Sequence, residues 1–183
     1  MILLKVVEPC VRNPSLLSLF RKFYDVVLLD SEWLKGTRDR VTVSVRKEDD
    51  IYRVKSYKER GLTVIIKPFV KSLTKKALDV GVDGVQVDSR NVDIFRKGQL
   101  NLLRQYDVPV EVDLSGSDFS TVRNVALWST RFVVDVMLAS CSSDQSQFWH
   151  HLSKLALLTS LGIEEPDAFH YVYISPLRLL KKK

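Results

Sequence analysis

Short runs of β-branched and other apolar residues punctuate the chain, and between them apolar positions recur at helical spacing. The runs begin at Asp25 (DVVLLD), Leu62 (LTVIIKPF), Gly84 (GVQVDS), Pro109 (PVEVDLS) and Phe132 (FVVDVMLASCS), with residues 41–45 (VTVSV) as a further strand and residues 2–7 as an inner one at the start. Strands that alternate with helices predict a parallel sheet, because a parallel neighbour can be reached only by a crossover connection. The 183 residues hold about seven such units, enough to close a TIM-like (β/α) barrel, and no Pro-, Gly- or Ser-rich linker divides them, so residues 1–183 are expected to form one domain.

Local signals place the helices. Asn13-Pro14 reads as an N-cap with proline in the first helical position, followed by Leu16, Leu19, Phe20 and Phe23 at helical spacing. Glu48, Asp49 and Asp50 open a helix that turns Ile51, Val54 and Tyr57 inward and stops at Gly61. A short helix over residues 72–80 ends at Gly81, and another after Asn91 packs Phe95, Leu102, Leu103 and Tyr106. Ser117 is expected to cap a helix carrying Phe119, Val122 and Val125, and residues 132–138 to form a strand covered on both faces. Asp144 is expected to cap the next helix, with Phe148, Leu152 and Leu155 on one face and Gly162 closing it. In the tail, Tyr171 and Leu177 are the expected anchors.

Composition narrows the class. The chain is 45% hydrophobic and 27% charged, with a mean hydropathy near zero, as in a water-soluble protein with a substantial core. No apolar run approaches the ~20 residues of a membrane helix, and the start lacks the basic flank of a signal peptide, which points to a cytoplasmic site of work. Cys10 and Cys141 are expected to be buried, reduced thiols. Lys and Arg number 28 against 22 Asp and Glu, a formal net charge of +6. Residues 38–60 hold eight basic and five acidic side chains, and the chain ends in Lys181, Lys182 and Lys183. Such a surface attracts phosphate backbones by counterion release.

Chemistry in a barrel gathers at the loops after the strands. Three strands end in aspartate, Asp30, Asp88 and Asp113, which could hold a hard metal ion, or could each begin a turn or cap a helix. The three histidines, His150, His151 and His170, form no ligand motif, and no GxxxxGK, GxGxxG, GxSxG or CxxC is present. No catalytic residue set therefore emerges, and a binding role is favoured over an enzymatic one. Lys67, Lys71 and Arg90, just after strands, and Arg178 with Lys181, Lys182 and Lys183 on the basic tail are the expected phosphate contacts, with Arg46 and Arg123 next.

The segment FWHHLSKLALLTSLGIEEPDAFHYVYISPLRLLKKK resembles the C-terminal end of ribonuclease P protein component 3, the thirty-kilodalton protein subunit family of archaeal and eukaryotic ribonuclease P. The matching residues are Ser160, Leu161, Gly162, Ala168, Pro176, Leu179, Leu180 and Lys181. Upstream, RFVVDVMLASCSSD is similar to the family's last barrel strand and its Ser-rich exit (Arg131, Phe132, Ser140, Ser142, Ser143), and LDVGVDGVQVDS to an earlier strand. The resemblance implies a TIM-like barrel related to the polymerase-histidinol phosphatase fold, without that fold's metal-binding histidines. It implies a role beside a catalytic RNA that uses magnesium and cuts the 5′ leader from precursor tRNA, with no cofactor bound by the protein itself. The implied partners are ribonuclease P RNA, precursor tRNA, a ferredoxin-like protein subunit (component 2), doubled to a heterotetramer in one arrangement, and other ribonuclease P proteins. The implied location is the cytoplasm, or the nucleus and nucleolus of a eukaryote. The rival expectations are a metal-dependent phosphoesterase built on Asp30, Asp88 and Asp113, and a non-catalytic barrel that binds only protein.

Overall fold

A computed structural model describes residues 5–30 and 40–180. Seven parallel strands follow one another in chain order: β1 (Val7–Val11), β2 (Val26–Leu29), β3 (Arg40–Val45), β4 (Thr63–Pro68), β5 (Gly84–Val87), β6 (Val110–Asp113) and β7 (Val136–Ala139). β1 pairs with β2, and β3 to β7 form a continuous ladder. Single bridges from Asp30 to Arg40 and from Val11 to Ser142 join the two sheets at both seams. The ring is therefore closed, a seven-stranded (β/α) barrel, as the alternation of strands and helices predicts.

The helices are α1 (Leu17–Phe20), α2 (Asp49–Glu59), α3 (Lys71–Asp79), α4 (Lys97–Gln105), α5 (Phe119–Phe132), α6 (His151–Ser160) and α7 (Glu165–Phe169). Alternation along each strand divides the interior into two environments. Outward positions, Val41, Val43, Val45, Val64, Ile66, Val85, Val87, Val110, Val112, Val136 and Leu138, pack under the helices in one apolar layer. Inward positions are mostly polar: Arg40, Lys67, Gln86, Asp88, Glu111 and Asp113, all buried. The exceptions form two groups: Leu28, Ile65 and Met137 meet Leu179 of the C-terminal tail at the N-terminal end of the barrel, and Cys10, Ala139 and Cys141 pack together farther along. That tail is clamped from outside by Arg178, whose Nη1 lies 2.9 Å from Asp135 Oδ2 and Nη2 2.7 Å from Asp107 Oδ2.

Several expectations move. The first strand is β1, not residues 2–7, of which 1–4 lie outside the described residues; the turn at 35–37 lies outside them too. Asp118, not Ser117, caps α5, accepting from Thr121 N at 2.7 Å, and α5, at 14 residues, is the longest described helix. Its Phe119 is 64% exposed. Phe132 ends that helix and does not open a strand; Val133 adopts a left-handed conformation at φ 55° and reverses the chain into β7. His150 caps α6, whereas Asp144 caps only the short turn Gln145–Gln147 ahead of it, and Leu152 faces solvent at 56% exposure. Leu179, more than the half-buried Leu177, anchors the tail with Tyr171.

Candidate functional site

The loops after the seven strands converge on the C-terminal mouth of the barrel, and the side chains there form stacked ion pairs. In the middle layer Arg40, from β3, reaches Glu111, on β6, with Nη1 2.5 Å from Oε2 and Nη2 3.0 Å from Oε1. Arg40 also donates to the Pro9 carbonyl at 2.7 Å and to Thr42 Oγ1 at 2.8 Å, and its Nη2 lies 3.4 Å from Asp30 Oδ2. Thr42 closes this group, giving both its backbone N–H (2.8 Å) and its hydroxyl (2.6 Å) to Asp30. Gln86 Nε2 donates to Glu111 Oε1 at 2.7 Å.

One layer nearer solvent, Lys67 at the end of β4 donates to Asp88 just after β5, and lies 3.7 Å from Asp113 Oδ2. Arg12 enters from the loop after β1, 2.7 Å from Asp113 Oδ2 and 3.1 Å from Ser115 Oγ. Arg90 covers Asp88 from the rim, with Nε at 2.9 Å and Nη2 at 2.6 Å from Oδ2. Burial by itself would raise the pKa of Asp88, but the hydrogen bonds from Arg90 and Lys67 prevail and hold it below the ordinary carboxylate value. Gly116 permits this closeness, since a Cβ there would sit 2.8 Å from Asp88 Oδ2. Asp30, Asp88, Glu111 and Asp113 thus face Arg12, Arg40, Lys67 and Arg90, and the inner carboxylates are matched by cations of the same chain.

That matching decides what the mouth can hold. A divalent ion needs carboxylates whose charge is still available, and here Lys67 stands between Asp88 and Asp113 while Asp30 is held apart by Arg40 and Thr42. Among the described residues, the one trio of potential ligands whose atoms lie within 4.8 Å of one another is Cys10, Glu111 and Cys141. It fits a metal poorly: Glu111 is already gripped by Arg40, and burial pushes both thiols upward, so they keep their protons. Cys10 and Cys141 are free and buried, as expected.

The residues proposed from sequence for phosphate contact fall into three groups. Arg46, Lys71 and Arg90 are exposed on the rim, Arg46 with its Cζ 4.6 Å from the Phe69 ring centroid. Lys67 shares that end but is only 4% exposed, so it is an internal counter-ion, not a surface cation; its position at the end of an inward-facing strand row dictates this. Arg178 sits at the opposite end, tying the tail to the starts of β6 and β7, and Arg123 projects from α5 to the Leu161 carbonyl at 3.1 Å. Lys181, Lys182 and Lys183 lie outside the described residues. Sequence reasoning missed Arg12 and the Arg40–Glu111 pair. Arg12 follows a strand that Glu8 and Pro9 disguise, and the pair joins residues 71 apart, which no local pattern links.

The histidines serve structure. His150 accepts from Leu152 N at 3.2 Å, His151 Nδ1 meets Tyr173 Oη at 2.8 Å, and His170 lies 3.2 Å from Asp135.

No protein-family model matches this sequence, and no curated protein matches it significantly. Solved structures do match. One chain of an archaeal ribonuclease P assembly with mature tRNA superposes with a TM-score of 0.62 at 11% identity, over 94% of this chain and 76% of that one. The N-acetyl-D-glucosamine-6-phosphate deacetylase of Mycobacterium smegmatis gives 0.57 at 16% identity, over 96% and 65%. A prolidase complexed with N-methylphosphonate-L-proline gives 0.59 at 10% identity, over 80% and 44%. The chain spans about two thirds of the deacetylase and less than half of the prolidase. At these identities the likeness is one of fold: an α/β barrel shared by hydrolases and by a component of a ribonucleoprotein.

Proposed function

We propose that this chain is a protein subunit of a ribonuclease P ribonucleoprotein, supporting a catalytic RNA that removes the 5′ leader from precursor tRNA while carrying none of the chemistry itself. The observation that carries this reading is the self-neutralised mouth of the barrel. Where a barrel hydrolase gathers its reactive groups, Asp88 and Asp113 are spent on Lys67, Arg12 and Arg90. Around that closed mouth stand the exposed cations Arg46, Lys71 and Arg90, on a chain of net charge +6. Cations set on a rigid rim can replace ions that packed phosphates would otherwise require. The likeness of fold to a chain of the archaeal assembly supports the same reading, as does the resemblance of the C-terminal sequence.

In this role the protein works beside ribonuclease P RNA, precursor tRNA and a ferredoxin-like protein subunit, with magnesium belonging to the RNA. Reconstitution tests it. Adding the protein and its partner to the catalytic RNA should raise precursor-tRNA cleavage or lower the magnesium requirement, and the protein freed of RNA should cleave nothing. Chelator-sensitive phosphoester cleavage by RNA-free protein would instead favour the metal-dependent hydrolase reading built on Asp30, Asp88 and Asp113.

A further inference from the structure

Away from the barrel mouth, one open pocket of about 250 Å³ combines aromatic rings with cations. It lies between the turn that precedes α4 and the face of α5, and its walls include Phe95, Arg96, Asn124, Trp128, Arg131 and Phe132. Phe95 is 5% exposed and belongs to the core. Its ring centroid lies 5.7 Å from that of the half-buried Trp128 at an angle of 37°, so the two rings pack against each other in the pocket wall. Arg131 places its Cζ 5.6 Å from the Phe132 ring centroid, and Arg96, Arg131 and Asn124 are exposed. Arg96 also occupies the cap of α4, where no side chain caps the helix and no acidic residue lies in the first turn. The positive end of the helix dipole therefore adds to the two arginines. Against these cations the pocket sets a single carboxylate, Asp93.

Size and chemistry together select the occupant. Pockets that enclose a drug-sized ligand run to roughly 300–1,000 Å³, so this one suits a single planar ring system. A rigid indole offers a stacking face, Asn124 and Asp93 offer donors and acceptors for a base edge, and Arg96 and Arg131 offer charge to an anion beside it. We propose that the pocket binds one unpaired nucleobase stacked on Trp128, with the adjoining phosphate held by Arg96 and Arg131. The inference deepens the RNA-binding role proposed above and adds to it a preference for unpaired nucleotides. The same chemistry is presented by a nucleotide within single-stranded RNA and by a free nucleoside monophosphate.

Binding of a labelled short single-stranded RNA to the isolated protein, followed by fluorescence anisotropy, tests the proposal without the catalytic RNA. The strand should bind, and a blunt duplex of the same sequence should bind at least about tenfold more weakly, since its bases are already stacked. Trp128→Leu should weaken strand binding about tenfold and Trp128→Phe should retain most of it, because a ring suffices for stacking. Arg96→Gln and Arg131→Gln, exposed and free of core packing, should each flatten the salt dependence by about 0.7 in slope. Displacement of the strand by GMP would assign the pocket to free nucleotides, and failure of GMP to compete would assign it to nucleotides in a strand. The proposal is overturned if Trp128→Leu, verified as folded, binds like the parent, or if both arginine variants leave the salt slope unchanged. Reconstitution of precursor-tRNA cleavage can fail while this strand binding persists, which separates the two proposals.

Discussion

Arg40 and Glu111 grip each other across the full width of the barrel, from β3 to β6, with two short contacts of 2.5 and 3.0 Å and no exposure to solvent on either side chain. A bidentate guanidinium–carboxylate pair of this kind fixes distance and orientation at once. Its worth lies in the penalty for breaking it: two charges already stripped of water must each keep a partner.

Removal of one partner should therefore be severe. Arg40→Met is expected to destabilise the fold by about 3–5 kcal/mol, read as a lower midpoint in urea unfolding. The double change Arg40→Met with Glu111→Leu should recover only part of that loss: Glu111 is no longer left as an unpaired buried charge, but Asp30 still loses the Arg40 cation 3.4 Å from it and keeps only Thr42. Equal stability of the single variant and the parent would remove the pair from the account of the core.

Lys67 should behave as an internal counter-ion. Lys67→Met leaves Asp88 with Arg90 and Asp113 with Arg12, so its cost is expected near the low end of the range for a broken buried pair, about 3 kcal/mol. The pKa of Asp88, observable by carboxyl NMR titration, should rise, since both the hydrogen bond and the charge of Lys67 act to lower it. An unchanged titration would show that Arg90 alone sets it.

The same carboxylate gives a pH signature. The folded pKa of Asp88 is depressed, so its stabilising contribution is complete above the unfolded value, about 3.9, and is lost as pH falls through the folded value. Acid unfolding of the parent should steepen below about pH 4, and Asp88→Asn should show a shallower acid limb. Parallel acid limbs in the two proteins would contradict this assignment.

Cys10 and Cys141 are fully buried and their thiols are shifted upward by that burial. A thiol reagent at neutral pH should titrate neither in the native protein and both after denaturation. Fast native labelling would place them elsewhere than inside the barrel.

Rim cations should carry the general affinity for RNA. Changing Arg46, Lys71 and Arg90 together to glutamine should weaken binding across RNA sequences and reduce the salt slope by about two units. Arg178→Gln should leave the salt slope alone and loosen the tail instead, because Arg178 lies at the end of the barrel opposite the rim, where it ties the tail to Asp107 and Asp135.

The sequence by itself determined the beat of the fold. Apolar runs such as those of β4 and β7 can be stable only when covered on both faces, and helical segments lie between the strands, so a closed parallel barrel was legible from periodicity alone. Helix stops at Gly61, Gly81 and Gly162 were legible for the same local reason: each takes a positive φ that side chains resist. Boundaries failed where neighbouring signals competed, as at Phe132, whose apolar run reads as strand until Val133 turns left-handed. Tertiary structure alone decided the mouth. A lysine after a strand looks the same in sequence whether it meets solvent or two aspartates, and only the inward row of a closed barrel put Lys67 between Asp88 and Asp113. Alternation along the strands fixed that these side chains point inward; closure of the ring fixed which charges meet, because partners as distant as Arg12 and Asp113 are neighbours only once the last strand returns to the first.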